Sequence, residues 1–436
     1  RLAESWRGRI AVTYRRRETN TGFKAGNLHD FCARWGSAHD LAVTFDTDSY
    51  IPAAAVLRMV RIMQASPEIG ILQGMVIGMP TTSAFARIFQ FGMRLRMRSY
   101  TIGSAWWQGD CGPHWGHNSV LRLRPFAQHC QLPPLPRDGP LGGHILSHDQ
   151  LEAVLMRRAG YEVRVLPDED LGWEENPPTL LEFIRRDLRW CQGNMQYWRF
   201  LTLPGLKAVS RYQLALAIQM FIGSPAWIGM LVLGTLAIAF ADSPGDFIRA
   251  DLGMPLLAIV LVMWFSPKIA TAIDVLARPD ERRAFGGAAR FLINFVLETV
   301  YSVLLCTILW FGHTIFLAGL LFGREIGWIG QTRDDHAVPF GLALRNLWPH
   351  TLLGWGVIGT LAVTEPAAIP YALLIACGPA LAIPFAVLTA RASLGRLCVR
   401  VGIGRLPEET EPPADFAALT LPAIEIAAPA PRPSPA

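Results

Sequence analysis

Apolar and polar residues alternate in two different rhythms along this chain, and the change falls near residue 205. Before it, apolar residues come in short runs between charged and turn-forming stretches. Positions 41–45, 70–76 and 163–166 are β-favouring apolar runs too short for helices, and 9–14 is a fourth strand-like run. Positions 53–65, 83–98 and 148–159 repeat their apolar residues at helical spacing. Strands alternating with helices predict an α/β sheet with helices packed on it. The stretch "QLPPLPRDGPLGG" at 131–143 predicts a Pro/Gly loop that serves as a mobile flap.

Beyond residue 212 the apolar runs lengthen. Positions 212–240 and 252–277 are long enough to span hydrocarbon, and 347–364 and 368–390 are shorter, Pro-interrupted candidates. The end of the chain, rich in Pro, Ala and Glu, predicts disorder. Three segments result: an α/β domain at 1–205, transmembrane and interfacial helices at 206–400 with a loop at 323–345, and a disordered tail at 401–436.

Arginines orient the spans. Arg278, Arg282, Arg283 and Arg290 flank the end of the second, Arg324, Arg333 and Arg345 follow residue 322, and Arg391, Arg396 and Arg400 follow the last. The intervening loops "ADSPGDFIRAD" and "TEPAAIP" carry one Arg and none. Positive-inside reasoning puts the α/β domain, the loops at 278–290 and 323–345 and the C-terminus in the cytosol. Positions 290–322 must then cross twice or not at all. Asn294, Glu298 and His313 interrupt this run, and the expectation is an amphipathic helix in the interface followed by a re-entrant stretch, with a thin hairpin as the alternative.

Composition agrees with a membrane protein: 51% of residues are hydrophobic, and mean hydropathy is +0.27. A net charge of +5 is too small to indicate a nucleic-acid binder. Seven scattered cysteines without a C-x-x-C pair indicate neither a zinc site nor a disulfide framework and suit a reduced face. The chain opens on "RLAESWRGRI" without Met, and we expect sequence upstream of it. Paired repeats and mid-span charges, the marks of a secondary transporter, are not evident in the sequence.

Five patches carry candidate chemistry. In "TNTGFKAGN", Gly22 and Gly26 permit close backbone approach and Lys24 offers a point charge to a phosphate. In "TFDTDSY", Asp46 and Asp48 follow a strand; on an extended backbone both carboxylates point one way, toward a divalent metal carrying a phosphate-bearing substrate, or else into a solvated turn. In "GPHWGHNS", Trp115, His117 and Asn118 combine an aromatic plane with hydrogen-bonding groups, which suits a sugar ring or a packed glycine turn. Asp149 stands at a helix start, as a cap or as a base for an attacking hydroxyl. In "RRDLRWCQGN", Arg189 offers a fork to a pyrophosphate and Trp190 a stacking face, on a helix that also suits an anionic lipid surface.

In this order, "KAGN" 24–27, "DTD" 46–48, "SHD" 147–149 and "RDLRW" 186–190 resemble the motifs of processive family 2 glycosyltransferases with a GT-A fold, such as cellulose and hyaluronan synthases. Arg186 stands where cellulose synthases carry Gln, and Ser-His replaces Thr-Glu. The runs "HWGHN", "LGGHILSHD", "RRDLRWCQGN" and "GREIGWIGQTRDD" look like the branch of the family that builds osmoregulated periplasmic glucans, over residues from about 9 to 400.

The resemblance implies a polymerase of the bacterial inner membrane that moves glucose from UDP-glucose onto a growing β-1,2-linked glucan and exports it. It implies Asp149 as the catalytic base, Lys24, Asp46 and Arg189 on the donor, and Asp48 on Mg²⁺ or Mn²⁺. Trp190, with the aromatic patch Trp115, His117 and Asn118, would meet the acceptor, and Trp328 with Arg333 would form a gate over the donor. Acyl carrier protein and a periplasmic glucan-processing protein are the partners it suggests. Family members carry an earlier strand with an aspartate that grips uracil, so the donor pocket is expected to be incomplete here. A cellulose-synthase-like enzyme, or a membrane protein that binds a nucleotide sugar without transferring it, are the alternatives.

Overall fold

The computed structural model describes residues 8–137, 139–242, 250–327, 330 and 332–414. The α/β half opens with α1 (Phe23–Arg34), β1 (Leu41–Thr44), β2 (Ser49–Tyr50), α2 (Ala53–Ala65), β3 (Ile69–Gly74), β4 (Ile77–Gly78) and α3 (Ala84–Trp107). It continues with β5 (Ser119–Arg122), α4 (Leu123–His129), α5 (Asp149–Arg158), β6 (Glu162–Leu166), β7 (Trp173–Glu174) and α6 (Leu180–Met195). One sheet has the order β1-β5-β3-β6, with β5 antiparallel to both neighbours and β6 parallel to β3; the other has the order β2-β7-β4.

Alternation along β3 builds the core. Leu72 packs with Met59 and Met63 of α2 on one face, while Ile71 packs with Met156 of α5 and Phe126 of α4 on the other. The strand β5 follows a glycine turn at the end of an aromatic patch, and its four residues gave no periodic signal. It is nonetheless the strand that aligns the site, because its register sets Thr44 against Ser119, with their hydroxyls 2.7 Å apart.

The second half holds α7 (Ala208–Ala239), α8 (Ala250–Ala277), α9 (Pro279–Ala284), α10 (Ala288–Leu321), α11 (Phe340–Thr364), α12 (Ile369–Ala380), α13 (Ala382–Thr389) and α14 (Ala392–Val401). Among the described residues, α7, α8 and α10 are long and apolar enough to cross a membrane, and α12 with α13, bent by 51°, makes a fourth if taken together. The helix α11 falls outside that set, with Arg345, Asn346 and His350 in its first half.

Positions 290–322 form neither the expected re-entrant stretch nor the alternative hairpin. They lie in one unbroken helix of 34 residues. The polar residues do not break it, because each finds a partner beside the helix. Asn294 donates to Gly402 O at 2.9 Å and accepts from Gly404 N at 3.0 Å, Glu298 pairs with Lys268, and His313 bonds both Asp187 and Ser224. Gly92 of α3 lets α10 close in, since a Cβ there would stand 2.9 Å from Glu298 Cγ. Along its length α10 lies on α3 and α6: Phe291 on Phe91, Tyr301 on Phe85, Ile308 in the cluster of Phe183, Phe316 on Cys191 and Met195.

Three further expectations are corrected. Positions 9–14 form no strand; the segment is tied to α1 by Arg15, which donates to Asn27 O at 3.1 Å, and by Arg17, which donates to Phe23 O at 2.8 Å. The loop 131–143, apart from Asp138, which lies outside the described residues, is pinned rather than loose. Leu135 and Gly143 bridge, and Gln192 donates to Pro140 O at 3.2 Å. The start of the tail is packed: Leu406 and Glu408 are buried, with Glu408 paired to Arg94 and Glu409 held by Arg87 at 2.9 Å. Positions 415–436 lie outside the described residues.

Candidate active site

Lys24 sits in the first turn of α1, whose entry is shaped by Gly22 at φ 70°. A Cβ on Gly22 would stand 3.1 Å from Gly26 Cα, so both glycines serve the close approach that the sequence suggested. From there Lys24 reaches Asp46 and pairs with it.

The two aspartates sit on a turn and not on an extended strand. The extended backbone ends at Thr44, and Ser49 N donates to Asp46 O at 3.1 Å, closing a turn. Asp46 meets Lys24, and Asp48 meets Arg333 from the loop after α10. Each carboxylate thus has its own cation. Burial would raise the Asp46 pKa, but Lys24, then His117 and His148, outweigh it and hold the carboxyl below the usual aspartate range.

The β1–β5 pairing carries the aromatic patch to this turn. His117 Nδ1 lies 3.0 Å from Ser49 Oγ, and its Nε2 lies 3.4 Å from Glu174 Oε2. Trp115 is half-buried, with its N–H donating to Gln73 Oε1 at 2.9 Å. Asn118, expected to meet an acceptor, is fully buried at φ 50°; its side-chain amide donates to Tyr50 O at 3.3 Å and its backbone N–H donates to Thr44 O at 2.8 Å. It holds the turn together and does not face the cleft.

Asp149 begins α5 partly exposed, with His148 at the N-cap position and no side-chain cap bond from it. Gly116, at φ 80°, packs directly on it: a Cβ there would stand 3.3 Å from Asp149 Cβ. The helix α6 fixes the loop before Asp149. Leu146 N donates to Gln196 Oε1 at 2.9 Å, Tyr197 OH donates to Ser147 O at 2.9 Å, and a Cβ on Gly193 would stand 2.7 Å from Ser147 N. "LSHD" and "CQGNMQYW" are therefore two sides of one contact.

The same helix presents Arg189 and Trp190. Burial lowers the Arg189 pKa, and the charges of Asp149 and then Asp46 oppose it, so both carboxylates act on one guanidinium. Trp190 is 39% exposed, with the Arg186 guanidinium 4.7 Å from its ring centroid. Arg186 is buried, donates to Asn176 Oδ1 at 3.1 Å, and has its pKa pushed down to about 10 by that burial. Arg333 adds a bond to Glu175 O at 3.2 Å. Trp328 lies outside the described residues.

Sequence reasoning missed Gln73, Glu152 and Glu174. A glutamine inside the apolar run of β3 was the available signal for the first; the two glutamates carry none beyond their type. A cavity of about 1130 Å³ opens beside α1, but none of Lys24, Asp46, Asp48, Asp149 or Arg189 lines it. Among the described residues no group of three or more His, Cys, Asp or Glu could hold a metal. A hard divalent cation needs only one or two protein carboxylates when a diphosphate supplies the other oxygens. Asp48 meets that requirement once Arg333 releases it.

Residues 42–318 match the profile of "Glycosyl transferase family group 2". Among similar proteins are three called glucans biosynthesis glucosyltransferase H. That of Xylella fastidiosa is 34% identical over 92% of this chain and 65% of its own length. That of Caulobacter vibrioides is 36% identical over 92% and 63%. That of Pseudomonas aeruginosa is 33% identical over 96% and 50%. The chain thus spans between half and just under two thirds of these relatives. With a matched region that runs from the strand before the acidic turn through the helix that carries His313, this chain belongs to glycosyl transferase family group 2.

Proposed function

We propose that this chain is the catalytic and membrane part of a processive, inverting glucosyltransferase, which adds glucose from UDP-glucose to a growing β-1,2-linked glucan and exports it. One arrangement carries the reading: Lys24 pairs with Asp46, Ser49 of the same turn meets His117, and the adjacent Gly116 packs on Asp149, so motifs far apart in sequence come together. The names of the similar proteins support glucosyl transfer and a glucan product.

Asp149 takes the proton of the acceptor hydroxyl as its oxygen attacks the anomeric carbon. The bond from that carbon to the diphosphate breaks on the opposite side, and UDP departs with the negative charge. Lys24 and Arg189 meet that charge where it develops. Mg²⁺ or Mn²⁺, held by Asp48 and the diphosphate oxygens, would neutralise the leaving group. Asp46 orients Lys24 and the donor sugar nucleotide. Trp190 stacks under the acceptor, with Trp115 and His117 shaping the opposite wall, and Arg333 moves from Asp48 as the loop after α10 closes over the donor. Arg186, in the place of the cellulose-synthase Gln, holds Trp190 from behind.

Membrane topology follows the arginines. The pairs α7 with α8, and α11 with α12–α13, cross an inner membrane as hairpins, leaving the catalytic domain in the cytosol. The helix α10, about 50 Å long at 1.5 Å per residue, runs along the catalytic domain in the interface and does not cross. Acyl carrier protein and a periplasmic glucan-processing protein are partners in this scheme.

The test is incorporation of labelled glucose from UDP-glucose by membranes that contain the chain, followed by linkage analysis. A β-1,2-linked polymer is expected. A different backbone linkage would move the chain to another polysaccharide synthase, and a donor bound without any transfer would make it a binding protein.

A further inference from the structure

A run of buried polar side chains backs onto Asp149. Gln73, in β3, donates through Nε2 to Gly74 O and His117 O at 2.9 Å each, which leaves its Oε1 as the acceptor. That oxygen receives the Trp115 N–H at 2.9 Å and lies 3.0 Å from His114 Nδ1. His114 therefore carries its proton on Nδ1. Its Nε2 faces Glu152 Oε2 at 3.7 Å and has no hydrogen-bond partner among the described residues. The same Glu152 oxygen accepts from His148 Nδ1 at 2.9 Å.

Glu152 is 1% exposed, and a carboxylate so buried requires a cation. His148 is the group that touches it. Burial alone would discharge both rings. For His148 the Glu152 carboxylate overcomes that burial, with a smaller contribution from Asp149, and holds the ring above the ordinary histidine value. His114, with His148 beside it, stays well below. The other edge of the His148 ring lies on Gly116, where a Cβ would stand 3.3 Å from His148 Cε1 and 3.3 Å from Asp149 Cβ. One glycine face thus seats both side chains.

We propose that His148 is a positioning residue for Asp149, its ring clamped by Glu152 against the Gly116 face so that a buried cation fixes the neighbouring carboxylate at the cleft, where it takes the acceptor proton. This rests on Asp149 being the base. The other charged or titratable groups around it are Arg189 on α6, Lys24 on α1, Asp46 in the turn after β1, His114 and His117 before β5, Glu152 on α5, Tyr197 after α6, and Arg333. In the proposed reaction Lys24 and Arg189 are taken up by the diphosphate once donor is bound. His148 is then the buried cation next to Asp149 in the chain, with Arg333 on the closing loop.

The experiment measures kcat and the UDP-glucose KM from about pH 5.5 to about pH 9 for the full chain in nanodiscs. In H148Q the acid limb of kcat moves up by about one pH unit, kcat at neutral pH falls about tenfold, and KM stays within about twofold. E152Q, which discharges the ring, moves the limb the same way by less; it carries the test if H148Q does not fold, with size-exclusion profile and thermal midpoint as the folding controls. D149N serves as reference and is inactive. If D149N is inactive but folded H148Q and E152Q keep the wild-type limb, the positioning role is overturned while the base assignment stands. If D149N keeps transferring glucose, the base assignment fails and this inference fails with it.

Discussion

Lys24 and Asp46 illustrate how the cleft sets charge residue by residue. Asp46 is partly desolvated, which would push its pKa up, yet Lys24 draws it below the ordinary 3.8. A carboxylate with a depressed folded pKa contributes stability above its unfolded value and loses it as pH falls through the folded one. In K24A the desolvation is left without its main counterweight, so Asp46 gains a proton at higher pH. We expect K24A to unfold at a higher pH than wild type in an acid titration, with about 1 kcal/mol or less lost at neutral pH because the Asp46 side chain is 40% exposed. The same variant raises the UDP-glucose KM and lowers kcat, since the lysine also faces the departing diphosphate. An unchanged acid midpoint, followed by tryptophan fluorescence, would refute the pairing.

At the scale of elements, α6 joins the site to the membrane helices. One side of it fixes the loop of Asp149 through Gln196 and Tyr197, and another presents Arg189 and Trp190. Asp187, two residues before Arg189, bonds His313 of α10, which in turn bonds Ser224 of α7 at 3.0 Å. Both members of that pair are nearly buried, at 14% and 8% side-chain exposure. Removing either breaks a buried hydrogen bond and leaves its partner less well satisfied, which costs about 1–3 kcal/mol. H313A and D187N should each lower the thermal midpoint in detergent by several degrees, and the double variant should be no worse than the poorer single one. Additive losses would mean that the two residues act separately.

For the whole molecule, the division into an α/β half and an apolar helical half was legible in the two rhythms of the sequence. So were α2 to the residue, the strands β1, β3 and β6 within a residue or two, and the long apolar helices α7 and α8. Legibility failed where partners decide. Positions 9–14 have a strand pattern but pair with no strand among the described residues, and the three polar residues of α10 looked like interruptions until α6, α7, α8 and the segment after α14 supplied their partners. Leu406 and Glu408 sit in a composition that suggests disorder, and their order comes from the apolar cluster of Phe91 and Phe285 around Leu406 and from Arg94 and Trp173 on Glu408. At the site, Lys24, Asp46, Asp149 and Arg189 were legible as motifs, whereas the buried Gln73 and Glu152 are recognisable only once β3 and α5 are packed. Asn118 was misjudged because a sugar-binding amide and a turn-holding amide look alike in sequence.

The central claim is that Asp149 acts on the acceptor proton, while the donor is held chiefly by Lys24, Asp46 and Arg189. The most direct measurement takes one purified preparation of D149N and compares UDP-glucose binding with glucose transfer. Binding within about twofold of wild type, with transfer reduced by at least about a thousandfold, is the result this structure predicts. Transfer that survives in D149N, or donor binding lost together with it, would contradict the account.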